Sequence, residues 1–137
     1  MRVSAPTGRS KLSRWIPVTR AAVRREIEAD PGLGDLLDVL AGVSQSPPRL
    51  DEAARIAGRS RATLARRFRD LFGRSYGDVA RRIRLEQARR LLLAKREWTV
   101  DQIASEVGYA TGYSLTRAFA ARFEMTPGAY RQARSAR

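Results

Sequence analysis

Two stretches of the chain share one arrangement of apolar and polar positions. "TLARRFRDLF" (Thr63 to Phe72) and "SLTRAFAARF" (Ser114 to Phe123) both read Leu-x-Arg-x-Phe-x-x-x-Phe, with the second copy offset by 51 residues. At about 100° per residue, Phe68, Leu71 and Phe72 fall within about 80° of Leu64, the pattern of a helix with one buried face. Ala62, Arg66 and Arg69 fall about 140° to 200° away, on the opposite face. In the second copy the matching outer face carries Tyr113, Arg117 and Ala120. Each copy thus predicts a helix that hides Leu and Phe and displays an Arg at the same place.

The repeat extends upstream. "LDEAARIAG" (Leu50 to Gly58) and "VDQIASEVG" (Val100 to Gly108) share a leading aliphatic, an Asp, an Ala at the fifth position and a Gly at the ninth. Each unit therefore predicts a short helix, a Gly-containing turn and a second helix, which is the helix-turn-helix pattern. Local signals agree. Thr99 and Gln102 have capping-box spacing, Ser60 caps the second helix of the first unit, and Thr111 or Gly112 opens its counterpart. Gly73 ends the helix that carries Phe68 and Phe72.

Between the units, "DVARRIRLEQARRLLLAK" (Asp78 to Lys95) has Leu85, Ala88 and Leu92 on one side and Val79 and Ile83 roughly opposite. Two apolar faces predict a connector with a core on each side. Glu86 stands three and four residues before Arg89 and Arg90, spacing for helix-supporting ion pairs. Thr126 before Pro127 predicts a capped closing helix. Upstream, Leu33, Leu36, Leu37 and Leu40 form one stripe of a helix over Gly32 to Gly42, and residues 18–29 form another, ending at Asp30-Pro31. The stripe either packs on the first unit or, with Trp15, is what remains of an interface. The predicted architecture is all-α: two helix-turn-helix subdomains joined by a central connecting helix. A flexible basic arm (1–16) and a helical extension (17–49) precede a double helix-turn-helix domain (50–134). That domain divides into a first unit (50–73), connecting helix (76–95), second unit (99–124) and closing helix (127–134).

Composition adds a partner. The 137 residues include 27 Lys+Arg against 14 Asp+Glu, a net charge of +13, and no acid precedes Glu26. Such an excess concentrates the chain near polyanions, nucleic acid first. Cysteine and histidine are absent, which removes disulfides, Cys/His zinc sites, thiol nucleophiles and imidazole chemistry. Asp70, Glu86, Glu97 and Asp101 are scattered along helices, so no catalytic residue, cofactor or metal is expected. No apolar run reaches the roughly 20 residues that span a bilayer, and no signal-peptide core is present, so the expectation is a cytoplasmic protein that does not engage membranes.

A displayed Arg on a repeated helix-turn-helix suits the DNA major groove, where its fork takes O6 and N7 of guanine. Two such helices in one chain would read two successive major-groove segments of double-stranded DNA, about 34 Å apart, without dimerisation. A sequence-tolerant or architectural DNA binder is the alternative, in which the arginines hold phosphates and the small residues of the helix faces read little.

The motifs "LEQARRLLL", "DQIASEVGYATGYSLTRAF" and "MTPGAYR" make the region from about Leu50 to Arg131 similar to the DNA-binding domain of AraC/XylS-type bacterial transcription regulators. The resemblance implies recognition helices over Arg61 to Leu71 and Gly112 to Arg122. It implies base contacts from Ala62, Ala65 and Arg66 in the first and from Tyr113, Ser114 and Arg117 in the second. Arg61, Thr63 and Arg131 map to phosphate contacts, and Arg69 and Thr111 complete the implied DNA-facing set. It also implies an activator that contacts RNA polymerase. Glu124 stands where a Gly is usual, Gly112 where Pro or a polar residue is common, and Ala120 where many relatives have Lys. About 49 residues precede the first unit, too few for a small-molecule sensor domain. The chain is thus either a short regulator or the C-terminal part of a longer one.

Overall fold

Short polar caps such as Ser60, Thr99 and Thr111 start helices, and the left-handed residues Gly58, Gly73, Gly108 and Glu124 end them. The computed structural model describes residues 21–41 and 46–135; the expected basic arm and Trp15 lie outside them. The described residues form helices α1 (Ala21–Glu28), α2 (Pro31–Ala41), α3 (Leu50–Ala57), α4 (Arg61–Phe72), α5 (Tyr76–Ala94), α6 (Val100–Val107), α7 (Gly112–Phe123) and α8 (Pro127–Ser135), with no strand among them. The architecture is the all-α double helix-turn-helix expected from the repeat.

The chain divides into two compact units, Met1–Arg82 and Ile83–Arg137. Tyr76, Val79 and Ala80 of α5 are buried in its first half, and Leu85, Ala88 and Leu92 in its second. Val79 and Ile83, one of the two apolar sides expected of this helix, are both buried, as are Leu85, Ala88 and Leu92 on the other.

In the first unit, α2 packs on α3 and α3 on α4. The stripe of Leu33, Leu36, Leu37 and Leu40 is buried to 2% exposure or less, so of the two readings open for it, packing on the first unit is the one observed. The approach of α2 to α3 is close at Gly32, where a Cβ would stand 2.2 Å from the Ala57 carbonyl oxygen. Leu64 and Phe68 are fully buried, and the Phe68 ring meets Phe72 and Tyr76 edge-on at 5.1 and 5.3 Å.

Asp30 organises the N-terminal side of this unit. Its Oδ1 accepts the Leu33 N–H at 3.1 Å, capping α2, and its Oδ2 accepts from Arg59 and, at 3.3 Å, from Arg67. Burial raises the Asp30 carboxyl, but the Leu33 N–H and the Arg59 and Arg67 guanidiniums outweigh it and hold the carboxyl below its ordinary value. Asp78, at the start of α5, is also held low: burial raises it, and Arg74 and Arg82 overcome that effect.

The second unit repeats the plan. Leu85, Ala88, Leu92, Ile103, Ala104, Val107, Leu115, Phe119 and Tyr130 make one core. Phe119 meets Phe123 at 4.6 Å and Tyr130 at 5.9 Å, the counterpart of the Phe68 cluster. The Thr99–Gln102 capping box is present, with Gln102 N–H on Thr99 Oγ1 at 3.0 Å and Thr99 N–H on Gln102 Oε1 at 2.7 Å. Glu86 is buried and pairs with Arg89 at 2.6 Å, while Arg90, the other expected partner, is exposed and outside this pair. Arg89 also donates to the Tyr130 hydroxyl at 3.4 Å.

The helix-ending residues show where the copies diverge. Gly73 (φ 70°) and Glu124 (φ 62°) close α4 and α7 in the same left-handed conformation. That conformation is free to Gly and costs other L-residues about 1 kcal/mol. Glu124→Gly therefore stabilises the second unit by about 1 kcal/mol, read as a higher denaturation midpoint in urea with an unchanged m-value. A midpoint unchanged or lowered would show that the Glu124 side chain contributes more than its backbone costs.

Candidate nucleic-acid interface

Each unit has its own candidate surface, the outward face of α4 in the first and of α7 in the second, and the same local chemistry starts both helices. Ser60 and Thr111 are the N-caps, with Oγ accepting the N–H of Thr63 at 3.1 Å and Oγ1 that of Ser114 at 3.0 Å. The hydroxyls of each pair are also bonded, Ser60 to Thr63 at 2.9 Å and Thr111 to Ser114 at 2.7 Å. Thr111 is thus the cap and Gly112 the first helical residue. The expected contact residues Thr63, Thr111 and Ser114 all sit in these caps.

A second repeated device was not read from the sequence. Asp51 and Asp101, the second residues of α3 and α6, each reach the first residue of the next helix, α4 or α7. Asp51 pairs with the Arg61 guanidinium at 3.0 Å, whereas Asp101 Oδ1 accepts the Gly112 backbone N–H at 2.9 Å. A Cβ on Gly112 would lie 2.2 Å from that oxygen, so any other residue there requires the Asp101 side chain to shift. A carboxylate at a helix N-terminus satisfies an open donor and complements the dipole. Asp101→Ala is expected to destabilise the second unit by about 1 kcal/mol, checked by urea denaturation. No loss of stability would mean that water replaces the carboxylate without penalty.

On α4, Arg61, Ala62, Arg66 and Arg69 are exposed and Ala65 is half-buried. On α7, Tyr113 is 72% exposed, Arg117 is exposed, and Ala120 is half-buried. Arg66, Arg69 and Arg117 form no ion pair among the described residues, while Arg59, Arg67, Arg74, Arg81, Arg82 and Arg89 are each matched to an acid. The outer faces of α4 and α7 thus carry arginines without a carboxylate; Arg122, in the last turn of α7 and off that face, has none either and lies 5.6 Å from the Phe123 ring centroid. Arg61 is paired, but both partners are about 70% exposed, and such a pair contributes less than about 1 kcal/mol and exchanges readily for phosphate. On α7 the Arg117 guanidinium lies 5.8 Å from the Tyr113 ring centroid.

Arg131 is placed differently from the expected phosphate contact. Its Nε, Nη1 and Nη2 donate to the carbonyls of Leu92 at 2.8 Å, Trp98 at 2.8 Å and Lys95 at 3.0 Å. It thereby closes the C-terminal end of α5, where carbonyls lack helical partners. One donor fork serving three carbonyls is a structural role, and a phosphate would have to compete with it.

Two helix-turn-helix units, each displaying an arginine-bearing second helix, define a DNA-binding class of protein. The chain matches the family described as "Helix-turn-helix domain" over residues 53–133. It belongs to the AraC-type helix-turn-helix family. It is 33% identical over 102 residues to the RCS-specific HTH-type transcriptional activator RclR of Escherichia coli, covering 74% of this chain and 36% of that protein. It is 33% identical over 135 residues to the HTH-type transcriptional regulator Rv1931c of Mycobacterium tuberculosis, covering 96% of this chain and 48% of that protein. The chain therefore spans about a third to a half of the length of these relatives. Among solved structures, the DNA-binding domain of AdpA, a global transcriptional factor in complex with a target DNA, superposes with a TM-score of 0.68 at 30% identity. That match covers 78% of this chain and 95% of that one. An AraC-type regulator from Chromobacterium violaceum superposes with a TM-score of 0.66 at 25% identity, covering the same shares of the two chains. Among the described residues no helix is long and apolar enough to cross a membrane.

Proposed function

We propose that this chain is the DNA-reading part of a transcription regulator and places α4 and α7 in successive major-groove segments of double-stranded DNA. The observation that carries this reading is the pair of equivalent outward arginines, Arg66 and Arg117, neither held by a carboxylate among the described residues, on recognition helices of a demonstrated AraC-type domain. Arg66 and Arg117 each take a guanine through O6 and N7. Ala62 and Ala65 offer methyl contact to thymine on the first segment, and Tyr113 and Ser114 line the second. Arg61, Thr63, Arg69 and Thr111 contact phosphates and fix the register of the helices. Arg131 stays on the carbonyls of α5 and holds the second unit in shape. Activation through contact with RNA polymerase is supported by the likeness to the activator RclR. It is tested by whether a promoter carrying the bound site is transcribed faster with the protein than without it.

Methylation interference tests the groove and the base. On a duplex carrying a bound site, N7-methylation of guanines within two separate clusters blocks binding. Interference confined to adenine N3, in the minor groove, would contradict the assignment.

A further inference from the structure

The two reading heads are not equivalent, and the difference lies in one aromatic ring. Tyr113 is the most exposed large apolar side chain among the described residues, at 72%. An exposed ring of this size at the start of a helix is not held there by the core, since the core of this unit is completed by Leu115 and Phe119. It stands four residues before Arg117, whose guanidinium carbon is 5.8 Å from its centroid, within the range of cation–π attraction. The equivalent position on α4 is Ala62, so Arg66 has no such support. An Arg side chain loses rotamer freedom when fixed. A ring that already restricts it leaves less to lose when the fork closes on a base.

We infer that Tyr113 is a positioning residue that pre-orients Arg117 for guanine, so that the segment read by α7 is discriminated more sharply than the segment read by α4. This rests on the proposed base-reading role of the two arginines. Tyr113 acts through its π-face and not its hydroxyl, which separates it from a residue that hydrogen-bonds a base. It also separates it from an apolar side chain that only covers a thymine methyl.

The test is a competition assay on the full chain. The affinity for a bound duplex is compared with that for duplexes in which the guanine facing each arginine is replaced by adenine, with the pairing base changed to match. Wild type, Tyr113→Ala, Tyr113→Phe, Tyr113→Leu, Ala62→Tyr and Arg117→Ala are run together. Removing the ring is expected to lower discrimination at the guanine of the α7 segment by about fivefold and to leave the α4 segment unchanged. Phe restores it and Leu does not, while Ala62→Tyr sharpens the α4 segment. Tyr113 is exposed, so thermal unfolding of these variants should coincide with wild type. Equal discrimination by Tyr113→Ala and wild type, alongside a loss in Arg117→Ala, would overturn the positioning role and leave base reading intact. Rescue by Leu would likewise overturn it in favour of simple apolar contact. Discrimination unchanged in Arg117→Ala would overturn base reading itself, and the positioning role with it.

Discussion

Asp30→Ala lowers the stability of the first unit by about 3 kcal/mol, because breaking a buried ion pair leaves the partner charge uncompensated. The Asp30 side chain is only 7% exposed, and its removal strips the carboxylate from Arg59, 32% exposed, and one of two from Arg67, which keeps Glu26 at 3.2 Å. It also removes the cap on the Leu33 N–H. Asp30→Asn retains a cap acceptor and loses the charge, so the difference between the two variants separates the cap from the ion pairs. Hydrogen exchange of the α4 amides is the measurement. Their protection should fall by about two orders of magnitude in the Ala variant, at 1.4 kcal/mol per tenfold. A fall of less than tenfold would mean that the two arginines find other partners or turn to solvent.

The same carboxylates give a pH dependence of known sign. Asp30 and Asp78 are both held below the ordinary value of 3.8 in the folded chain. A group depressed on folding contributes fully above its unfolded pKa, and the contribution disappears as pH falls through the folded value. The first unit should therefore keep its stability down to about pH 4 and lose it below that. Asp30→Asn should show a shallower loss over the same window.

Arg117→Ala weakens binding to a preferred duplex by about tenfold or more and relaxes the sequence requirement at one base pair of one segment. Arg66→Ala does the same in the other segment, and neither changes thermal stability. The size follows from about 1 to 3 kcal/mol for a bidentate Arg–guanine contact. Arg61→Ala differs in kind. A phosphate contact carries no sequence information, so affinity falls on all duplexes alike and the salt dependence becomes shallower by about one ion. If Arg117→Ala behaved as Arg61→Ala is expected to, Arg117 would be a phosphate contact.

What the sequence made legible follows from periodicity and local spacing. The buried Leu64, Phe68 and Phe72 and their counterparts, the two apolar sides of α5, the Thr99–Gln102 box and the Leu33–Leu40 stripe each depend on residues within a few turns of one another. The outward placement of Arg66 and Arg117 follows from the same wheel. Contacts that depend on tertiary packing were not legible. Asp30 meets Arg59 and Arg67 across 29 and 37 residues of chain, and no periodic signal links them. Arg131, which the resemblance maps to a phosphate contact, donates to carbonyls at and beyond the end of α5 that lie 33 to 39 residues away in sequence. The Asp51 and Asp101 contacts lie between these extremes. Their place in the repeat was visible, but their partners, a guanidinium in one copy and a backbone N–H in the other, depend on how each turn closes.

The central claim is that two helices of one chain read two segments of DNA by sequence. It is tested most directly by selection from a randomised duplex pool at near-physiological salt, with Arg66→Ala and Arg117→Ala in parallel. The account predicts a bipartite motif with a guanine in each half, one half relaxed by each variant, and the sharper half lost with Arg117. Strong, salt-dependent binding with no sequence enriched would contradict it and leave a general DNA binder in its place.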